Sequence, residues 1–129
     1  MANVKENLHY SKDHDWVEVT GENATIGITD YAQHALGDVV YVELPKVGDK
    51  FEAHEAIGSV ESVKAVSEIF TPIAGEVLEV NDGLNDAPEV VNNDSYGAAW
   101  MIKVKMKNPL EADALLSSAE YEEYLSNNE

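Results

Sequence analysis

The chain has 129 residues, 44% of them hydrophobic, enough to bury the core of a single domain (1–129) and too short for two. Its 25 acidic side chains outnumber eight basic ones, a formal net charge of −17, so phosphate backbones and anionic lipid surfaces are repelled and nucleic acid and membranes are excluded as partners. All eight bases are lysines, which removes any guanidinium clamp, and the lack of cysteine removes disulfides, thiolate nucleophiles and cysteine-held metals.

The N-terminal MANVKENLHYSKDHDW has neither the apolar stretch of a signal peptide nor the Arg-rich character of a transit peptide, and no apolar window is long enough to span a bilayer. A cytoplasmic protein is expected. From Trp16 onward, short apolar and β-branched runs alternate with turn formers. WVEVT gives way to GEN and then ATIGI, VVYVEL to PKVGD, GEVLEV to NDG, and WMIKVKM to KNP. Short strands so punctuated predict a mainly β fold, a sandwich or flattened barrel. In 101–106, Met101, Lys103 and Lys105 are expected on one face and Ile102, Val104 and Met106 on the other.

Helical signals are fewer. Thr29 is placed to cap a short helix DYAQHAL, with Asp30 at its positive end and Gly37 as a left-handed stop. Asn108-Pro109 marks a second start, after which Ala112, Leu115, Leu116 and Ala119 recur at helical spacing, and Tyr121, Tyr124 and Leu125 continue that face. The chain therefore divides into a core over about 8–107 and a helical segment over about 108–126. A weak repeat aligns Pro45–Phe51 with Pro72–Leu78, each copy a Pro-x-x-Gly turn, an acid and the start of a strand.

Between the copies lies ESVKAVSEIF, with Lys64 between valine and alanine. Val60, Val63, Val66, Ile69 and Phe70 suit an amphipathic helix, which would leave Lys64 merely solvated. The β-branched content, Gly58 and Pro72 favour instead two strands, 56–62 and 66–71, joined at Val63-Lys64. Such a tip breaks the usual preference of two-residue hairpins for Asn-Gly or Asp-Gly, and a broken local rule points to function. A lysine there is presented for modification rather than packed.

VESVKAVSEIFTPIAGEV resembles the lipoyl-attachment segment of the glycine cleavage system H protein family. The resemblance extends through Lys12–Trp16, Ala24–Gln33, Leu36–Pro45 and Gly97–Val104, and covers roughly residues 8 to 125. It implies a lipoyl-domain-like pair of antiparallel sheets with an added C-terminal helix, and lipoic acid joined as an amide to Lys64. It also implies a carrier with no catalytic site of its own, shuttling the aminomethyl group of glycine. Its partners would be the P protein (glycine decarboxylase), the T protein (aminomethyltransferase), the L protein (dihydrolipoyl dehydrogenase) and lipoyl-attaching enzymes.

By the same resemblance the loaded arm would rest near the N-terminal segment, with Asp15 and Glu68 as carboxylates for the terminal amine, His14 as a lining residue and His34 as a further candidate. Solvated surface positions are the plainer reading of each. Glu61 is assigned to recognition by a lipoyl-attaching enzyme, or else is a solvated edge carboxylate, and Gly75 to turn geometry. From Ala65 to Ile102 there are seven acids and no base, an acidic surface that steers basic partners or simply keeps the protein soluble.

Other readings are a relay of lipoyl groups to other enzymes, an unmodified acidic interaction module, and a biotin carrier, the last disfavoured because Val63 and Ala65 replace the usual flanking methionines. An enzyme is disfavoured as well. Asp13, His14 and Asp15 are sequence neighbours that a strand would point to opposite faces, and neither a phosphate loop nor a spaced metal-ligand set appears.

Overall fold

A computed structural model describes residues 4–128. In chain order the strands are β1 (His9–Tyr10), β2 (Asp15–Thr20), β3 (Asn23–Ile28), β4 (Val39–Glu43), β5 (Lys50–Phe51), β6 (Ala56–Ser62), β7 (Val66–Phe70), β8 (Gly75–Val80) and β9 (Ile102–Met106). The α-helices are α1 (Asp30–Leu36), α2 (Gly83–Asp86), α3 (Val90–Asn93) and α4 (Ser118–Asn128), with a 3₁₀ helix at Pro109–Ala114. Six strands form one antiparallel sheet, β1-β2-β3-β9-β8-β5, and three form a second, β4-β6-β7. The fold is mainly β, as the alternating runs predict.

The core includes apolar residues of both sheets. Val17, Ile26, Ile102, Val104 and Val77 of the larger sheet join Val42, Val60 and Ile69 of the smaller in one buried cluster. On β9, Ile102, Val104 and Met106 are buried while Lys105 is exposed, the expected alternation. Met101 departs from it. It precedes the strand and is fully buried, its N–H donating to the Ile26 carbonyl at 2.9 Å.

Gly27 and Trp16 face each other across β2 and β3, and a methyl group on Gly27 would stand 2.7 Å from the indole. The indole N–H donates to the Ser95 carbonyl at 2.9 Å. Around Trp16 a second cluster gathers Leu8, Tyr10, Tyr121 and Leu125, in which the Tyr10 and Tyr121 rings stack at 4.6 Å. This cluster docks α4 onto the N-terminal segment.

The C-terminal segment is not one helix from Asn108. Asn108 does cap a turn, its side chain accepting from the Leu110 N–H at 3.2 Å, but that turn is 3₁₀ and ends at Ala114. Leu116 then pairs with Tyr10 as an isolated antiparallel bridge, 2.8 Å in both directions. Ser117 and Glu120 form a reciprocal capping box that starts α4. Tyr121 and Leu125 are buried and Tyr124 half-buried as expected, whereas Ala119 is exposed.

The two repeat copies meet. Lys50 lies opposite Glu76, Phe51 opposite Gly75, and the Gly48 N–H and Val77 carbonyl bond at 2.8 Å. Gly48 has φ +94° and makes a turn, but Gly75 lies within a strand and has no positive φ. Its role is close approach rather than turn geometry. A methyl group there would sit 2.6 Å from the Lys105 carbonyl oxygen across the β8–β9 ladder. We predict that Gly75→Ala forces the strands apart and lowers stability by about 1–3 kcal/mol. Urea denaturation at constant slope checks this, and a wild-type midpoint would refute it.

Candidate functional site

The β6–β7 ladder closes at Glu61 opposite Val66, and Lys64 lies at the tip. Ser62 N–H donates to the Ala65 carbonyl at 2.8 Å, while the Ser62 hydroxyl accepts from the backbone N–H groups of Lys64 (3.3 Å) and Ala65 (3.1 Å). Because a side-chain oxygen satisfies these donors, the turn needs no primed geometry, and neither Val63 nor Lys64 has positive φ. This removes the apparent rule violation in the sequence. Val63 N–H donates to the Asp38 carbonyl at 3.0 Å, which anchors the tip to the start of β4.

Lys64 is exposed and makes no ion pair among the described residues. Its stem leans over Gly37, where Cε would lie 3.4 Å from an added methyl group. Gly37 ends α1, its N–H donating to the Gln33 carbonyl at 3.0 Å. Its φ of 82° and ψ of −155° belong to a region that is essentially glycine-only, rather than to the left-handed helical basin expected of the stop. Thr29 caps the other end as expected, accepting from Ala32 N–H at 3.3 Å.

Leu36, the residue before Gly37, lines a cleft of about 180 Å³. Its apolar walls include Ile28, Leu36, Val60 and Ile69, and its polar groups include His14, Asp15, Ser67 and Glu68. Three of the nominated residues, His14, Asp15 and Glu68, are thus brought to one cleft. His14 and Asp15 do not point to opposite faces, because His14 precedes β2 in a turn at φ +68°. His34 does not border the cleft. It is 66% exposed on α1, with Nε2 3.4 Å from Asp30. Glu61 is also absent from the cleft and exposed, opposite Tyr41 on β4 and Val66 on β7.

Sequence reasoning missed the groups that hold these side chains. His14 Nδ1 is 2.8 Å from the Tyr121 hydroxyl, which is itself 2.8 Å from Thr29 Oγ1, and the Tyr31 ring packs 4.5 Å from the imidazole. Burial lowers the imidazole pKa, with the Asp13 charge opposing in part. Asp15 is 2% exposed. Its backbone N–H donates to Ser11 Oγ at 3.2 Å, and the Ser11 hydroxyl donates to the carboxyl at 3.4 Å. Burial, reinforced by Asp13 and opposed by Ser11, holds this carboxyl well above the usual carboxylate range.

The profile described as Glycine cleavage H-protein matches residues 8–128. The chain belongs to this family. A glycine cleavage system H protein of Geobacillus kaustophilus (strain HTA426) is 57% identical over 120 residues, covering 93% of this chain and 94% of that protein. One from Thermoanaerobacter sp. (strain X514) is 53% identical over 122 residues, 95% of this chain and 96% of the relative. The crystal structure of a glycine cleavage system H protein from Mycobacterium marinum superposes with a TM-score of 0.86 at 34% identity, covering 95% of this chain and 99% of that one.

Asp15 sets a pH dependence whose sign follows from its raised pKa. Below the ordinary carboxylate range both folded and unfolded chains hold the proton. As pH rises through about 4 the unfolded carboxyl ionises first, so folded stability declines until the folded group titrates. Asp15→Asn keeps an acceptor for Ser11 and removes the ionisation. It should therefore be more stable than wild type at pH 7, with the gain shrinking as pH falls toward 4. Urea midpoints of both proteins across that range provide the check, and a gain that grows on acidification would contradict the assignment.

Proposed function

We propose that this protein is the lipoyl carrier of a glycine cleavage system, with lipoic acid joined as an amide to Lys64 Nζ. On this reading it is one carrier domain without a catalytic site, working in the cytoplasm. It passes the aminomethyl group of glycine from the P protein to the T protein, and the L protein reoxidises it. No helix among the described residues is long and apolar enough to cross a membrane. Family membership supports the reading, and one structural observation carries it: among the described residues, an exposed amine with no ion pair, at a hairpin tip beside Gly37, whose chain neighbour Leu36 lines a cleft with apolar walls and three carboxyl groups.

The attached group supplies a dithiolane that exchanges at sulfur, chemistry this cysteine-free chain lacks. Everything else falls to the chain's own side chains. Acylation removes the ammonium charge of Lys64, and Ile28, Leu36, Val60 and Ile69 offer apolar surface to a hydrocarbon arm. The cargo ends in a primary amine, a cation at neutral pH. Glu68 at the lip and Asp15 within the cleft are the acceptors for it. A cation beside Asp15 favours its ionised form, so docking of the cargo is coupled to release of the Asp15 proton.

Two experiments test this. Incubated with a lipoate–protein ligase, wild type should gain one lipoyl mass, mapped to Lys64, and then support glycine decarboxylation with the P protein. Lys64→Ala should do neither, and decarboxylation supported by it would end the proposal. In the aminomethyl-loaded form, Glu68→Gln and Asp15→Asn should speed loss of the cargo to water by up to about tenfold, the scale of one charge-assisted hydrogen bond. Ammonia release from isolated loaded protein reads this out, and unchanged rates in both variants would exclude the cleft as the resting place.

A further inference from the structure

Helix α3 is a single turn whose Val91 is fully buried in the core. Beside it, half-buried Asn92 uses its whole amide. Nδ2 donates to Gln33 Oε1 at 2.9 Å and to the Gly37 carbonyl at 2.8 Å, and Oδ1 accepts from Val39 N–H at 2.8 Å. These partners fix the orientation of the amide, because a backbone N–H can only donate and a carbonyl can only accept. Gln33 is oriented too, since its own Nε2 donates to Asp30 Oδ1 at 2.8 Å and leaves Oε1 for Asn92. Among side chains of this length, asparagine alone offers two donors and an acceptor.

The three bonds converge on the lysine. Val39 N–H and the Asp38 carbonyl are the two ends of one planar peptide group, and that carbonyl accepts from Val63 N–H at the hairpin tip at 3.0 Å. One peptide plane therefore separates Asn92 from the tip. Gly37, the other backbone partner, lies against the Lys64 side chain, with Cε 3.4 Å from the position an added methyl group would take. Gln33 belongs to α1, whose Tyr31, Ala32, Ala35 and Leu36 border the cleft. Asn92 is thus bonded to the helix that walls the cleft and, through one peptide, to the tip.

We infer that Asn92 is a positioning residue for the carrier, its amide setting where Lys64 stands relative to the cleft and so holding the loaded arm at the carboxyl groups there. The inference deepens the carrier reading above and rests on it. A peptide plane held at one end pivots about its flanking torsions, whereas one held at both N–H and C=O does not. Hydrogen bonds in series also polarise one another, so loss of the Asn92 acceptor weakens the bond to Val63.

Amide hydrogen exchange, followed by NMR on the unmodified chain, reads the tip directly. It compares wild type with Asn92→Ala, which removes all three bonds, and Asn92→Asp, which keeps the shape and the acceptor but removes both donors. Asn93→Ala is the control, on an exposed neighbour in the same turn. In both Asn92 variants Val63 N–H should exchange about three- to tenfold faster, while Ser62 N–H, bonded to Ala65 within the hairpin, keeps its wild-type rate. General destabilisation would quicken both amides together, and that result overturns the proposal, as does wild-type exchange at Val63. Ammonia release from the isolated aminomethyl-loaded protein then reads the arm. Both Asn92 variants should lose cargo about three- to tenfold faster than wild type, and Asn93→Ala at the wild-type rate. Glu68→Gln should matter less in the Asn92→Ala background than alone, because an arm that leaves the cleft no longer meets Glu68. Cargo held at the wild-type rate by both Asn92 variants, or fully multiplicative effects of the two substitutions, overturns the positioning role. An unlipoylated Lys64 in wild type, or cargo loss unchanged by Glu68→Gln alone, would overturn the carrier or the cleft reading first and this inference with it, a result reached without any substitution at Asn92.

Discussion

The amide of Asn92 holds the site together. Its Nδ2 donates to Gln33 Oε1 at 2.9 Å and to the Gly37 carbonyl at 2.8 Å, while its Oδ1 accepts from Val39 N–H at 2.8 Å. One side chain thus fixes the end of α1, the glycine under the Lys64 stem, and the first residue of β4. Asp38, between Gly37 and Val39, offers its carbonyl to Val63 at the hairpin tip. Position passes by short steps from α3 to the lysine. Val63, Lys64 and Ala65 at the tip are exposed, so these backbone and amide bonds do the work that a core does elsewhere.

Against this rigid frame stands an unfavourable group. Asp15 is buried with a single long side-chain hydrogen bond from Ser11, and its neighbour Asp13 adds like charge. Burial of a carboxyl so thinly partnered costs stability once ionisation is favoured in the unfolded chain. A group whose ionised form lacks a counter-charge is the group that gains most when a cation arrives. His14 is held in a complementary way. The Thr29–Tyr121–His14 chain fixes its ring, and burial disfavours its protonated form, with the Asp13 charge opposing in part.

Much of this was legible in the sequence, and the reason is local chemistry. The strands at 56–62 and near 66–71, the Thr29 cap, the paired Pro-x-x-Gly copies and the exposed lysine all depend on residues within a few positions of each other. What could not be read depends on distant partners. The break at Leu115–Leu116 reflects the bridge that Leu116 makes to Tyr10 across the chain. The one-turn helices α2 and α3 have no periodicity to reveal them, yet α3 supplies Asn92. Tyr121 looks like one more apolar position on a helix face, and only the docking of α4 brings its hydroxyl to His14. His34, suggested by resemblance alone, lies on the solvent side of α1, 3.4 Å from Asp30 one turn back.

The period of two in a strand separates two chemically distinct faces beside Lys64. Along β6, Glu61 and Ser59 face outward with Tyr41 and Val66, whereas Val60 faces inward with Val42, and it also borders the cleft. Lys64 stands where the two faces meet, at the end of the ladder that separates them. Glu68, at the edge strand β7, belongs to the outward face opposite Ser59 and also borders the cleft. A slip of one residue in the β4–β6 pairing would exchange the faces, sending Val60 to solvent and Glu61 toward the core. Gly58 bears on that register directly, since a methyl group there would collide with the Glu43 carbonyl. The close approach of β4 and β6 therefore secures more than stability, because it fixes which side chains each face of the sheet presents.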